Sequence, residues 1–147
     1  MYIDRHLTDT LHTLIGQFPS VLLTGARQVG KFTLLKHITG DDYTYITFDD
    51  PLMIQQVKTD PRLFLLDHPG ELILDEIQLA PELFPYLKME IDHKGDYGMY
   101  LLSGSQAYHL MQHVSESMAG RIAIVNLAGL NLREIHGLTA PGVFVPS

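Results

Sequence analysis

The chain has 147 residues, 46% of them hydrophobic and 18% charged, which is enough apolar material for one buried core and too little length for two domains. Ten Lys and Arg against 17 Asp and Glu give a formal charge of −7, a poor balance for a stand-alone nucleic-acid binder, whose backbone affinity comes from clustered cations. Cysteine is absent, which excludes disulfides, Cys-ligated zinc and thiol catalysis.

Met1–Thr10 is polar where a signal peptide needs an apolar core, so the chain is expected in the cytoplasm. Within Tyr2 to Phe18, Leu7, Leu11, Leu14 and Ile15 recur at helical spacing. Val21–Thr24 is a short apolar strand. Gly25-Ala26-Arg27-Gln28-Val29-Gly30-Lys31 follows it directly, and a helix over Lys31–Thr39 is closed by Gly40. A G-x-x-x-x-G-K loop between a strand and a helix suits phosphate binding. The glycines let backbone N–H groups turn inward around phosphate oxygens, the helix N-terminus adds partial positive charge, and Lys31 reaches the β- and γ-phosphates. The bland reading is a glycine-rich turn beside a chance lysine. The nearer rival is a dinucleotide fingerprint, with Asp49 about 20 residues on in the place of a ribose-binding acid. The glycine spacing does not fit that rival, which also leaves Lys31 without a role.

The position after the lysine, where this motif carries a Ser or Thr hydroxyl for Mg²⁺, holds Phe32. A phenyl ring supplies no oxygen and reads as packing at the edge of the core stripe of Leu34, Leu35 and Ile38. Thr33 lies nearly opposite that stripe and is no obvious substitute. Metal binding is therefore expected to be weak and hydrolysis inefficient.

Tyr43–Phe48, rich in aromatic and β-branched residues, reads as the second strand. Asp50-Pro51 and Asp60-Pro61 each set an N-cap before proline at the first helical position, predicting two short helices. The longest unbroken apolar run, four residues as in Leu63–Leu66, is far short of the roughly 20 a bilayer span needs. Glu71–Leu74 is the third strand and runs into Asp75 and Glu76. Alone, two such acids are a solvated strand end. Together with a phosphate loop, Asp75 is placed to hold a metal's water shell and Glu76 to orient or deprotonate an attacking water. Pro81–Ile91 is helical, with Leu83, Leu87 and Ile91 on one face. Met99–Leu102 is the fourth strand and ends in Ser103-Gly104-Ser105-Gln106, where Ser103 is a candidate γ-phosphate sensor and Ser105 a cap for the next helix, Gln106–Ser115. His109 and His113 have the i, i+4 spacing of zinc ligands but no third partner, so a solvated helix face is expected. Gly120-Arg121 precedes the fifth strand, Ile122–Leu127. Arg121 is either a charge-stabilising arginine offered to a neighbouring subunit or a surface ion-pair residue. The tail after Arg133 has little pattern. Alternating strands and helices predict an α/β fold with parallel pairing, right-handed crossovers and a ligand beyond the carboxyl ends of the strands.

The ordered set of Gly25–Lys31, Leu74-Asp75-Glu76-Ile77-Gln78, Ser103-Gly104-Ser105-Gln106 and Gly120-Arg121 resembles prokaryotic AAA-type ATPases with a C-terminal domain of uncharacterised function. The Arg27-Gln28 pair is more distinctive than the loop around it. The resemblance covers roughly residues 1–137 and leaves 138–147 as a short irregular tail. It implies a three-layer P-loop NTPase fold of about five parallel strands with helices on both faces. It also implies ATP bound at Gly25, Ala26, Arg27, Gln28, Val29, Gly30, Lys31, Phe32 and Thr33, Mg²⁺ at Asp75, and catalytic roles for Glu76, Ser103 and Arg121. Two departures stand out: Phe32 replaces the family's Thr or Ser, and the helical lid and C-terminal segments of longer members do not follow. The expectation is an ATP-binding domain with impaired Mg²⁺-dependent hydrolysis, with a nucleotide as its ligand and with self-association or association with full-length relatives. The alternative is a non-catalytic interaction module or decayed fragment.

Overall fold

A computed structural model describes residues 5–25, 31–105, 107–127 and 131–134, the side chains of 5, 32, 107–109 and 131–134 excepted. In chain order the elements are α1 (Arg5–Ile15), β1 (Ser20–Thr24), α2 (Lys31–Thr39), β2 (Thr44–Thr47), α3 (Pro51–Thr59), α4 (Pro61–Asp67), β3 (Leu72–Asp75), α5 (Phe84–Lys94), β4 (Tyr100–Gly104), α6 (Ala107–Ser117), β5 (Ile122–Asn126) and β6 (Asn131–Glu134). The helix boundaries have local causes. Gly40 and Gly95 take φ of 60° and 69° after α2 and α5, a left-handed turn that glycine makes without a Cβ clash. Asp50 Oδ1 accepts the Leu52 N–H at 3.0 Å, and Asp60 Oδ1 accepts the Leu63 N–H at 3.1 Å, so both predicted caps form. The helix expected from Pro81 divides. Ile77–Leu79 and Pro81–Leu83 are single 3₁₀ turns, and the α-helix starts at Phe84 with Pro85 in its first turn, where a missing N–H costs no hydrogen bond.

The strands form one sheet in the order β2-β3-β4-β1-β5-β6. The first five strands of the chain are parallel, as expected. The sixth is an addition: β6 runs antiparallel to β5, from Ala123 opposite Glu134 to Asn126 opposite Asn131. Four residues, three of them polar, carry too little alternation to announce a strand.

Side-chain alternation sorts the sheet into two buried faces. Val21, Leu23, Ile73, Leu101, Ala123 and Val125 meet α1 and α2 through Leu11, Leu14, Leu34 and Leu35. Leu22, Leu72, Leu74, Leu102, Ile122 and Ile124 meet the other helices through Val57, Phe64, Leu87, Leu110 and Val114. Helices thus cover both faces of a mostly parallel sheet, which is the three-layer α/β architecture. Among the described residues no helix is long and apolar enough to cross a membrane.

Candidate functional site

The chain runs from β1 out to the edge strand β2, returns through β3 to β4 beside β1, then crosses to β5 on the other side of β1. That reversal makes a crevice beyond the carboxyl ends of β1 and β4, the usual ligand position in open α/β sheets. Thr24 at the end of β1 lies opposite Gly104 at the end of β4. Gly25 follows with φ 146°, a conformation that favours glycine and releases the chain from the sheet. Ala26, Arg27, Gln28, Val29 and Gly30 lie outside the described residues. Where the chain is described again, Lys31 opens α2 with only 3% of its surface exposed, and its ammonium donates to the Gly25 carbonyl at 2.9 Å. The strand end and the helix start are therefore pinned to each other across the loop. Thr33 is exposed. The Phe32 side chain lies outside the described atoms.

Asp75 ends β3 on the same side of the sheet as Ile73, the side that α2 covers. Its neighbours there are Tyr45 and Thr47, two residues apart on β2, and Ser103 on β4. The Tyr45 hydroxyl donates to Asp75 Oδ2 at 2.8 Å and the Thr47 hydroxyl donates to the same oxygen at 3.1 Å. The Ser103 hydroxyl donates to Oδ1 at 2.5 Å. Burial, then the hydrogen bond to the Asp75 carboxylate, pushes the Tyr45 phenol up to about 12, so it stays a donor at neutral pH. Three hydroxyls thus occupy three of the roughly four acceptor positions of one carboxylate.

Glu76 turns out of the strand with φ 58° and ψ 49°, the one described non-glycine residue at positive φ. Such a backbone costs of order 1–3 kcal/mol and collects at functional sites. Its N–H donates to the Ser103 hydroxyl at 3.2 Å, so Ser103 joins both acids. The carboxylate is nearly buried, and its Oε1 accepts from Gln78 Nε2 at 2.6 Å and from the Ser105 hydroxyl at 2.9 Å. The Ser105 hydroxyl is thus turned to Glu76. Among the described residues no buried side-chain nitrogen or oxygen lacks a hydrogen-bond partner.

The structure brings Asp75, Glu76 and Ser103 into one network beside Gly25 and Lys31, and it places Arg121 elsewhere. Arg121 precedes Ile122, which pairs with Ser20 at the start of β1, so it sits about 16 Å away from Gly25 along a five-residue strand. There its guanidinium forks onto Asp92, Nε to Oδ1 at 2.7 Å and Nη2 to Oδ2 at 3.1 Å, and Nη1 donates to the Ala119 carbonyl at 2.8 Å. That hydrogen-bonded pairing lowers the Asp92 carboxyl and raises the guanidinium from their ordinary values. Asp50 caps α3, and the exposed His113 ring stacks on Phe84 with centroids 6.4 Å apart. The His109 side chain lies outside the described atoms, and the described residues contain no group of three His, Cys, Asp or Glu able to hold a metal ion.

Three contributors escaped the sequence reading. Tyr45 and Thr47 carry an i, i+2 signal on β2, but only the adjacency of β2 and β3 aims them at Asp75. Gln78 stood in a quoted motif without a role.

Two curated relatives, uncharacterized proteins of Mycobacterium bovis and of Mycobacterium tuberculosis, are each 36% identical to this chain over 142 residues. The matched region is 95% of this chain and 32% of each relative, so the chain spans about a third of the length of the curated relatives it matches. A family model described as "AAA domain" matches residues 17–136, a stretch that holds β1, the Asp75–Glu76 strand end, Ser103 and Arg121, and the chain therefore belongs to that AAA domain family.

Proposed function

We propose that the chain is an ATP-binding AAA-type domain whose Mg²⁺-dependent hydrolysis is impaired at position 32. One observation carries the reading: a nearly buried lysine pinned to the first loop glycine stands beside two acids joined by a serine hydroxyl, all at the switch point of the sheet. A helix N-terminus favours an anion, and a lysine ammonium held beside it would add a counter-charge for phosphate. Lys31 would take the β- and γ-phosphate charge in place of the Gly25 carbonyl. Ser103 fixes the spacing between the acids, and Glu76 would hold the attacking water in line and accept its proton.

Magnesium, when bound, neutralises charge on the phosphate oxygens. Its donor set fits poorly here. Position 32 offers no oxygen, Asp75 is the remaining protein ligand, and that carboxylate already accepts from three hydroxyls.

Isothermal titration with ATP, with and without Mg²⁺, tests the reading. Binding of ATP with little dependence on Mg²⁺ is expected, and binding of neither form sinks it. Phe32→Thr restores a hydroxyl and should raise both the Mg²⁺ dependence and the single-turnover hydrolysis rate. A second reading, a module that acts with other copies or with longer relatives, draws on Arg121, which lies too far from the site of its own chain to serve it.

A further inference from the structure

We infer that Gln78 is a positioning residue that, together with Ser105, aims the Glu76 carboxylate. The inference rests on the ATP-hydrolysis reading of the same site. Glu76 in the left-handed region turns the chain back on itself, and the following 3₁₀ turn, Ile77–Leu79, is anchored by the fully buried Ile77. Gln78 is thereby folded against the residue two before it. Only a donor can face a carboxylate at 2.6 Å, so the amide nitrogen of Gln78 must point to Glu76 Oε1. The same nitrogen donates to the Ser105 hydroxyl at 3.1 Å, and that hydroxyl donates in turn to Glu76 Oε1 at 2.9 Å. The Ser105 N–H points back to Gln78 Oε1 at 3.4 Å. Three side chains from two adjacent strand ends close a triangle, with one carboxylate oxygen receiving two donors.

Gly104 makes room for this triangle. A Cβ there would stand 3.0 Å from Gln78 Oε1 and closer still to Leu110 Cδ2, so the glycine between Ser103 and Ser105 leaves room for Leu110 and for the amide alike. Two hydrogen bonds to one oxygen fix the rotation of the carboxylate, which a flexible glutamate lacks. Fixing the acceptor in advance is how a site holds a water in line without reorganising at each turnover.

The test uses Gln78→Ala, Ser105→Ala and the hydroxyl-retaining Ser105→Thr, each in the parent chain and in the Phe32→Thr chain. ATP affinity by titration calorimetry and hydrolysis rate in single turnover are both measured, with thermal melts to verify folding. The expected split is ATP affinity close to the parent's and a hydrolysis rate lower by roughly tenfold or more for the two alanine variants. Ser105→Thr should recover most of the rate, which a simple packing role would not require. Turnover that neither alanine substitution lowers, zero turnover included, overturns the assignment while ATP still binds. An increase in rate overturns it as well. Absence of ATP binding in the parent chain removes the underlying reading instead, so the two failures are told apart.

Discussion

Asp75 owes its setting to hydroxyls rather than to cations. Tyr45, Thr47 and Ser103 all donate to it, and the phenol is the titratable member. Its value stands at about 12 against an ordinary 10.0, so the folded chain keeps a proton that the unfolded chain releases. Stability from this group is full below about pH 10 and is lost as the pH rises towards about 12, because there the native state binds more protons than the unfolded one. Urea unfolding of Tyr45→Phe should show a shallower alkaline decline than the parent. Some alkaline decline should remain, since burial also pushes Tyr100 up to about 12. An unchanged decline would show that neither burial nor the Asp75 hydrogen bond raises the Tyr45 phenol in the folded chain. The meeting of Asp75, Glu76 and Ser103 was legible in the sequence because residues at the ends of parallel strands gather beyond the carboxyl edge of the sheet. Tyr45 and Thr47 were not, because nothing in a linear chain says which strand lies beside β3.

Among the elements, the joint between α3 and α4 is a single residue. The Asp60 N–H closes α3 on the Gln56 carbonyl at 3.1 Å while its side chain opens α4 at the Leu63 N–H. Removing that side chain leaves a helix N-terminus with an unmet donor. Asp60→Ala should cost about 1 kcal/mol, a fall of about 2–4 °C in Tm for a chain of this size. A Tm equal to the parent's in differential scanning calorimetry would count against the cap. The Asp-Pro pairs announced both helices because cap chemistry is local. By contrast, β6 depends on a partner strand and the start of α5 on a competition between two prolines, and neither is local. The helix stop at Gly40 follows backbone sterics, which the residue type discloses, whereas α5 runs past its expected end at Ile91 to stop at Gly95 by the same sterics.

On the scale of the molecule, Arg121 and the acid network occupy opposite edges of the sheet, Arg121 where β1 and β5 start and the network where β2, β3 and β4 end. If the arginine acts on another copy, the Asp92 fork must open, and activity must depend on association. Mixing Lys31→Ala with Arg121→Ala, both in the Phe32→Thr chain, provides the check. Each is expected to be inactive alone, and the mixture should regain turnover where an intact site meets an intact arginine. A mixture as inactive as its parts would confine Arg121 to its surface pairing. The two possibilities were both open from sequence, because a Gly-Arg pair before a strand shows neither its partner nor its end of the sheet.

The doubly covered sheet also bears on how the strands find their alignment. Both faces of β1, β3, β4 and β5 are apolar, so sliding one strand by a residue would exchange Leu22 for Val21 or Leu23 with little loss of hydrophobic burial. Greasiness cannot act as the ruler. Polar pegs at the two ends can: the Ser20 hydroxyl on the Arg121 carbonyl at 2.8 Å dowels β1 to β5, and the Asp75 carboxylate dowels β3 to β2 and β4 at once. The Asp75 carboxylate is therefore also a vernier mark for the sheet, and replacing it would misalign strands as well as break the network around it.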